Sequence, residues 1–373
     1  MDKIKRFIDC GVPVQACNLR CHYCFIAQHR EFASRITPFS QPVEIIAEAL
    51  SRERLGGICL FNLCAGGETL LSEQILPLAK MLIEEGHYVM IVTNGTLTKR
   101  FEEITTWPEE VRQRLFIKFS LQYLEMQRLN WMDRFFGNVD LMKQHGVSFT
   151  VEVTPSDELI PHIETLKKVC MERLGALCHV SIARNENTDT FEVLSQHSFE
   201  EYKNIWGEFN SDLFQFKSEI FYQKRKEFCY AGDWCLFLEL GTGNLYQCVR
   251  GEKLCNIYEC VQEPIPFKAI GTKCRFPHCY NGHSYLALGA IPELEAPTYA
   301  QLRNRQCEDG SQWLQPGVKA FFGGKLGQSN KEYSYYKKRK LARQSCSLHV
   351  RERLSHFAFY QALHRLKQRM KNQ

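Results

Sequence analysis

The eight residues from Cys17 to Cys24 constrain this chain more than any other stretch. They read C-N-L-R-C-H-Y-C and place three cysteines, Cys17, Cys21 and Cys24, close together near the N-terminus. Thiolates are soft ligands that select zinc, copper(I) or an iron–sulfur cluster over magnesium or calcium. A zinc knuckle or three unrelated small residues are the alternatives, but three cysteines rarely fall within eight positions by chance. The stretch therefore predicts a metal site.

The spacing of the three cysteines separates the candidate metals. A structural zinc site usually takes four closed ligands, from two C-x-x-C pairs or from one pair and two histidines. This loop is C-x-x-x-C-x-x-C, and the only other cysteine near it is Cys10. A four-iron cluster held by three thiolates leaves one iron open to a small molecule. The spacing favours such a cluster.

With Tyr23 directly before its third cysteine, the loop resembles the signature of the radical S-adenosylmethionine (radical SAM) superfamily. The resemblance implies that Cys17, Cys21 and Cys24 hold three irons of a [4Fe–4S] cluster and that SAM chelates the fourth. It also implies that the reduced cluster splits SAM into methionine and a 5′-deoxyadenosyl radical. Tyr23 is expected either to pack near the adenine or to be an ordinary loop aromatic.

Apolar runs alternate with helical patterns over the first half of the chain. Strands are predicted at 8–14, 58–63, 88–93, 115–121, 147–153 and 177–183, and the helices between them include 128–145 and 156–174. Such alternation is typical of parallel βα units, although periodicity alone does not separate an open sheet from a barrel. The radical SAM resemblance implies an α/β fold with a partial, TIM-like (β/α)6 barrel over residues 1–184. Its chemistry would lie at the carboxyl ends of the strands.

A second motif follows the second predicted strand. Two adjacent glycines there let the backbone approach a ligand closely, and the radical SAM resemblance implies that Gly66, Gly67 and Glu68 bind the amino group of SAM. Polar residues at later strand ends suit further contacts. We expect Ser120 to contact the ribose and Arg184 the SAM carboxylate, with turn capping or a salt bridge as the alternative roles.

Beyond residue 184 the βα alternation stops. Residues 185–228 are predicted to be a helical connection, 229–330 a cysteine-rich auxiliary domain and 331–373 a basic helical tail. A hairpin is predicted around Gly241-Thr242-Gly243, between strands at 236–240 and 244–246. In the tail, twelve Lys and Arg against two acids give a charge of +10, so the preceding residues carry −5. Such a tail suits RNA, an acidic surface or an acidic partner, but a solvated helix is favoured and nucleic acid is not expected.

The cysteine-rich segment resembles the auxiliary domains called SPASM or, in shortened form, twitch. The resemblance implies that one further cluster is held by Cys229, Cys248, Cys274 and Cys279. The C-x-x-C-x-x-x-x-x-C run of a full SPASM domain is missing, so only one auxiliary cluster is expected. Two alternatives remain open. First, Cys235, Cys255 or Cys260 could replace one of the four cysteines. Second, His278 and His283 leave room for a structural zinc.

Length and composition complete the prediction. With 373 residues, 44% of them hydrophobic and 24% charged, the chain is typical of a globular protein. It has neither a signal-peptide core nor an apolar run long enough to span a membrane, so we expect a cytoplasmic protein. There its seventeen cysteines would be ligands, redox groups or buried side chains rather than disulfides.

Together these features predict an oxidoreductase-like radical SAM enzyme that takes hydrogen from a substrate C–H bond. An electron donor such as flavodoxin or ferredoxin would reduce the cluster. No leader-binding winged-helix segment is visible, which favours oxidation or epimerisation of a small molecule or sugar over a peptide. A maturase of peptides or proteins is the first alternative. A zinc-stabilised RNA-binding module is the second, but it leaves the cysteine spacing and the G-G-E segment unexplained.

Overall fold

The computed structural model describes residues 2–188, 190–259, 261–272 and 274–342. Cys260, one of the alternative ligands, and most of the predicted basic tail lie outside these residues. The strands are β1 Arg6–Val12, β2 Cys59–Ala65, β3 Tyr88–Thr93, β4 Leu115–Leu121, β5 Ser148–Val153, β6 His179–Val180, β7 Cys235–Glu239, β8 Asn244–Tyr246 and β9 Lys253–Asn256. Within the described ranges, no helix has the length and apolar character needed to cross a membrane.

Helices follow most of the strands, as the βα pattern predicts. The α-helices are α1 Phe25–Gln28, α2 Val43–Ala49, α3 Arg52–Leu55, α4 Ile75–Glu84, α5 Thr98–Thr105, α6 Glu109–Arg112, α7 Tyr123–Leu129, α8 Met132–Gln144, α9 Ile163–Leu174, α10 Phe199–Gly207, α11 Asp212–Ile220, α12 Gly282–Tyr285, α13 Tyr299–Arg303 and α14 Pro316–Phe322. Three 3₁₀-helices lie at Thr69–Leu71, Asp157–His162 and Leu326–Gln328. Residues 335–342 are helical up to the end of the described chain.

The described strands form one sheet in the order β6-β5-β4-β3-β2-β1-β7-β8-β9. Strands β1 to β7 are parallel, whereas β8 and β9 add antiparallel at the edge. The α/β class and the largely parallel sheet of a partial barrel are therefore confirmed. The hairpin predicted around Gly241-Thr242-Gly243 is also confirmed, because β7 pairs with β8 there.

Alternate residues of each parallel strand supply the two faces of the sheet. Ile8, Phe61 and Ile117 are buried in the cluster that the βα helices share. Their neighbours Phe7 and Leu60 are buried instead with aromatic residues of the C-terminal segment. That segment therefore covers the opposite face of the sheet.

Three predicted elements differ in extent from the structure. The predicted strand 177–183 is reduced to His179–Val180, an edge strand that pairs with β5 only. The predicted helix 128–145 corresponds to the end of α7 and to α8. The two helices are separated at Asn130, which has a left-handed backbone conformation with φ of 56°. The first part of the predicted helix 156–174 is a 3₁₀-helix that contains Pro161, since proline removes a backbone donor.

Candidate functional site

A cavity of about 300 Å³ opens at the carboxyl ends of the strands. It is lined by every residue that the sequence predicts for the SAM side of the site: Cys17, Cys21, Tyr23, Cys24, Gly66, Gly67, Glu68, Ser120 and Arg184. These residues come from the carboxyl ends of four strands, β1, β2, β4 and β6, or from the loops that follow them. The fold brings them together because parallel strands present their carboxyl ends at one edge of the sheet. Their individual roles stay predictions.

The G-G-E segment contacts the backbone that leads into the cysteine loop. The Gly67 N–H donates to the carbonyl of Val14 at 2.8 Å, and the Glu68 N–H donates to the carbonyl of Ala16 at 2.9 Å. A Cβ on Gly67 would lie 2.0 Å from the Ala16 oxygen. Only glycine fits this contact, so the segment fixes the start of the cysteine loop.

The buried carboxylate of Glu68 joins the ends of β2 and β3. It accepts hydrogen bonds from the Thr93 hydroxyl at 2.6 Å, from the Asn94 N–H at 2.7 Å and from the Leu70 N–H at 3.0 Å. Burial raises the pKa of Glu68, while these three donors oppose the shift. Donors of the protein itself therefore take up most of the hydrogen-bonding capacity of the Glu68 carboxylate.

A chain of side-chain amides extends this contact to the first cysteine. The Asn94 amide donates to Asn18 Oδ1 at 2.7 Å and lies 3.9 Å from the Cys17 sulfur. Asn18 in turn donates to the Thr96 hydroxyl at 2.8 Å. Asn18 was missed from the sequence, although its place between the first two cysteines was a signal.

Tyr23 points toward the end of β4. Its hydroxyl donates to Gln122 Oε1, and burial raises its pKa. This contact anchors the aromatic ring beside the second and third cysteines.

The three N-terminal thiols sit in surroundings that suit cluster ligands. Burial raises the pKa of Cys17, Cys21 and Cys24. Backbone N–H groups oppose this shift at two of the three thiols. The Leu19 N–H lowers the pKa of Cys17, and two N–H groups of α1 lower the pKa of Cys24. Within the described ranges, no three His, Cys, Asp or Glu side chains converge as ligands of a single metal ion. A thiolate set that meets backbone donors and is spread more widely fits a cluster.

Four cysteines of the C-terminal segment lie near one another: Cys229, Cys248, Cys274 and Cys279. Burial, and after it the charge of Cys274, raises the pKa of the other three thiols, and Cys229 and Cys248 also raise that of Cys279. The Ala231 N–H donates to the Cys229 sulfur at 3.5 Å.

The alternative ligands differ in their placement. Cys235 lies close to this group, since Cys229 and Cys279 raise its pKa, whereas Cys255 lies on β9 opposite Leu245. His278 is buried against Phe221, with ring centroids 4.2 Å apart, and burial lowers its pKa to about 4. The structure thus brings the four predicted cysteines together and keeps Cys235 and His278 close to them.

Arg184 connects the two regions. Its guanidinium lies 3.8 Å from the centre of the Tyr280 ring, donates to the Tyr280 carbonyl at 3.2 Å and pairs with Glu186 at 3.4 Å. Tyr280 directly follows Cys279. Arg184 therefore touches both the strand-end cavity and the cysteine-rich segment.

A layer of charged residues in the sheet was missed from the sequence. Asp9 accepts hydrogen bonds from Asn62 at 2.7 Å and from Asn281 at 2.6 Å, and burial raises its pKa to about 6. Lys118 lies 2.9 Å from Glu152, and burial together with nearby Arg303 lowers its pKa to about 7. The available signal was a charged residue in the middle of an otherwise apolar strand.

The fold and this cavity define an α/β protein with a thiolate-lined site at the carboxyl ends of its parallel strands. Residues 12–122 match the Radical SAM superfamily. This segment of the chain therefore carries a radical SAM domain.

Individual proteins are similar over parts of the chain. The 7-carboxy-7-deazaguanine synthase of Thermoplasma acidophilum is 27% identical over 125 residues, which are 31% of this chain and 56% of that enzyme. The structure of Streptococcus suis SuiB bound to its precursor peptide SuiA is similar over 70% of this chain and 65% of the SuiB chain, with 16% identity and a TM-score of 0.46. The structure of anSMEcpe with bound AdoMet is similar over 71% of this chain and 81% of the anSMEcpe chain, with 18% identity and a TM-score of 0.48. The chain thus spans little more than half of the synthase and less than two thirds of SuiB.

Proposed function

We propose that this chain is an enzyme that cleaves SAM at a [4Fe–4S] cluster and abstracts hydrogen from a substrate C–H bond. The observation that carries the proposal is the strand-end cavity, where Cys17, Cys21 and Cys24 lie with the G-G-E segment. The match of residues 12–122 to the Radical SAM superfamily supports SAM-dependent radical chemistry. When bound, the cluster would supply the electron that splits SAM.

The residues of the chain would hold, orient and shield these groups. The three thiolates would bind the cluster, and the backbone N–H groups that face them would stabilise their negative charge. Gly66 and Gly67 would let the backbone reach the amino group of SAM, while the Glu68 carboxylate keeps that backbone in place. Ser120 is assigned to the ribose and Arg184 to the SAM carboxylate.

We further propose a second cluster held by Cys229, Cys248, Cys274 and Cys279. The mutual proximity of the four thiols supports this assignment, and four thiolates would close the cluster as in an electron carrier. It would exchange an electron with the substrate or anchor the C-terminal segment. Cys235 remains the nearest alternative ligand.

For the substrate we propose a small molecule or sugar-type compound that is oxidised or epimerised. The strand-end cavity of about 300 Å³ would also have to hold SAM, and the limited space that SAM leaves supports a compact substrate. A peptide is the alternative substrate. An electron donor such as flavodoxin or ferredoxin would reduce the cluster, and the reducing cytoplasm suits thiolate ligands.

The test is anaerobic reconstitution with iron and sulfide, followed by SAM and dithionite. The wild type is expected to be brown and to form 5′-deoxyadenosine, whereas Cys21→Ala should form none. Cys59→Ala, which removes a buried thiol outside the cavity, is the matched control and should keep the activity. A colourless protein with bound zinc and no 5′-deoxyadenosine would refute the proposal and favour the zinc-stabilised module.

A further inference from the structure

Lys217 on α11 is a partly buried lysine without an anionic partner among the described residues. Its ammonium group donates to the Ser181 hydroxyl at 2.8 Å, and Ser181 lines the strand-end cavity. Within the described part of the chain, no carboxylate contacts Lys217. The charged groups that act on it are Arg184 and Lys118, and together with burial they lower its pKa.

The nearby acids are already used by other cations. Glu152 accepts from Arg303 and pairs with Lys118 at 2.9 Å, and Glu186 pairs with Arg184 at 3.4 Å. A buried ammonium group without a counter-charge is unfavourable, because it loses hydration that nothing replaces. A bound carboxylate would supply the counter-charge that the described residues do not give Lys217.

A second, smaller cavity lies beside Lys217. It is lined by Lys217, Arg184, Cys279 and two histidines, His278 and His283. Its volume of about 10 Å³ corresponds to roughly one oxygen-sized group. Arg184 also lines the strand-end cavity, so one side chain borders both spaces.

His278, which also lines the small cavity, carries an unpaired polar atom. His278 is 3% exposed, and its Nδ1 has no hydrogen-bond partner among the described residues. Buried polar atoms are normally paired, and an exception points to a missing partner. His283 completes the surroundings, and the cations Lys217, Lys118 and Arg184 lower its pKa in addition to burial.

We propose that the junction formed by Lys217 and His278, beside Arg184 and between the two cavities, binds a carboxylate of the substrate, while Arg184 stays with the SAM carboxylate. One carboxylate oxygen would fill the small cavity beside Lys217, and the rest of the substrate would extend into the strand-end cavity. The inference rests on the proposed function, because it names the chemistry of the substrate for that same site.

The probe for this site is trifluoroacetate, observed by ¹⁹F line broadening with the reconstituted protein and saturating SAM. Trifluoroacetamide is the neutral counterpart of the probe. Lys217→Met removes the charge but keeps an apolar side chain of similar length. Lys80→Met, at a lysine that is 40% exposed on α4, is the matched control.

We expect trifluoroacetate to be broadened by the wild type and by Lys80→Met, with at least tenfold weaker binding to Lys217→Met. Trifluoroacetamide should show no broadening. Because no described carboxylate offsets the desolvation of the Lys217 ammonium, Lys217→Met should also melt at the same temperature as the wild type or higher, despite the loss of the hydrogen bond to Ser181. Absence of trifluoroacetate binding to the wild type, or equal binding to Lys217→Met, would overturn the proposal.

The binding measurement requires no turnover, so the two proposals can fail separately. Loss of carboxylate binding with intact formation of 5′-deoxyadenosine would reject the carboxylate site alone. Carboxylate binding without 5′-deoxyadenosine would instead reject the proposed function.

Discussion

The Glu68 carboxylate offers a sharp test of how the strand-end cavity is held together. In Glu68→Gln one carboxylate oxygen becomes an NH₂ group of nearly the same size. One oxygen of Glu68 accepts from the Asn94 N–H, and the other accepts from the Leu70 N–H and the Thr93 hydroxyl. Whichever way the new amide turns, its NH₂ group faces a backbone N–H that then has no acceptor.

The size of the effect follows from these contacts. A buried N–H without an acceptor costs about 1–3 kcal/mol. The hydrogen bonds that survive change from charge-assisted to neutral, which removes roughly 1 kcal/mol more. We therefore expect Glu68→Gln to lower the free energy of unfolding by about 2–4 kcal/mol. SAM should bind more weakly as well, because Asn94 contacts Asn18 in the cysteine loop.

The assay is urea unfolding of the reconstituted protein, followed by far-UV circular dichroism, with SAM affinity measured in parallel. With a slope of about 3 kcal/mol per molar urea, the midpoint should fall by roughly 1 M. Glu164→Gln changes a carboxylate that is 84% exposed on α9 and should shift stability by less than about 0.5 kcal/mol. Equal midpoints for the two variants would refute the bracing role assigned to Glu68.

Three further predictions concern other parts of the chain. His87 accepts a hydrogen bond from the Cys59 N–H and donates one to the Leu50 carbonyl, and burial lowers its pKa to about 4. The free energy of unfolding should therefore fall by up to about 3 kcal/mol as the pH drops from about 6.5 to 4. The fall should be smaller in His87→Gln. Gly67→Ala should displace the cysteine loop and reduce iron retention and SAM binding, whereas Gly137→Ala, where a Cβ meets nothing within 4 Å, should keep both. Cys279→Ala should lower iron by about four per chain and leave the N-terminal cluster; unchanged iron would reject the second cluster.

Local patterns were sufficient for most of the fold. The predicted strands 88–93 and 115–121 coincide with β3 and β4, because buried parallel strands read as continuous apolar runs. The short strand β6 was overestimated, since the same apolar run continues beyond the residues that pair with β5. The parallel pairing of β7 with β1 was not predictable, because it joins segments more than two hundred residues apart.

The candidate site also contains residues that local sequence predicts and contacts that only the fold reveals. The cysteine loop and the G-G-E segment are contiguous motifs, so their residues were predicted from local sequence. The contacts of Asn18 with Asn94 and of Lys217 with Ser181 join distant elements, and nothing in the local sequence marks them as partners. Lys118, a charge within an apolar strand, was a visible signal whose partner Glu152 only the fold reveals.

The most direct measurement of the central claim is the electron paramagnetic resonance spectrum of the reduced N-terminal cluster with and without SAM. It is recorded on a variant in which Cys229, Cys248, Cys274 and Cys279 are all alanine, so that Cys17, Cys21 and Cys24 are the assigned ligands that remain. The account predicts a [4Fe–4S] signal whose shape changes when SAM is added. A signal that SAM leaves unchanged, or the absence of any cluster in this variant, would contradict the assignment of these three cysteines to a SAM-binding cluster.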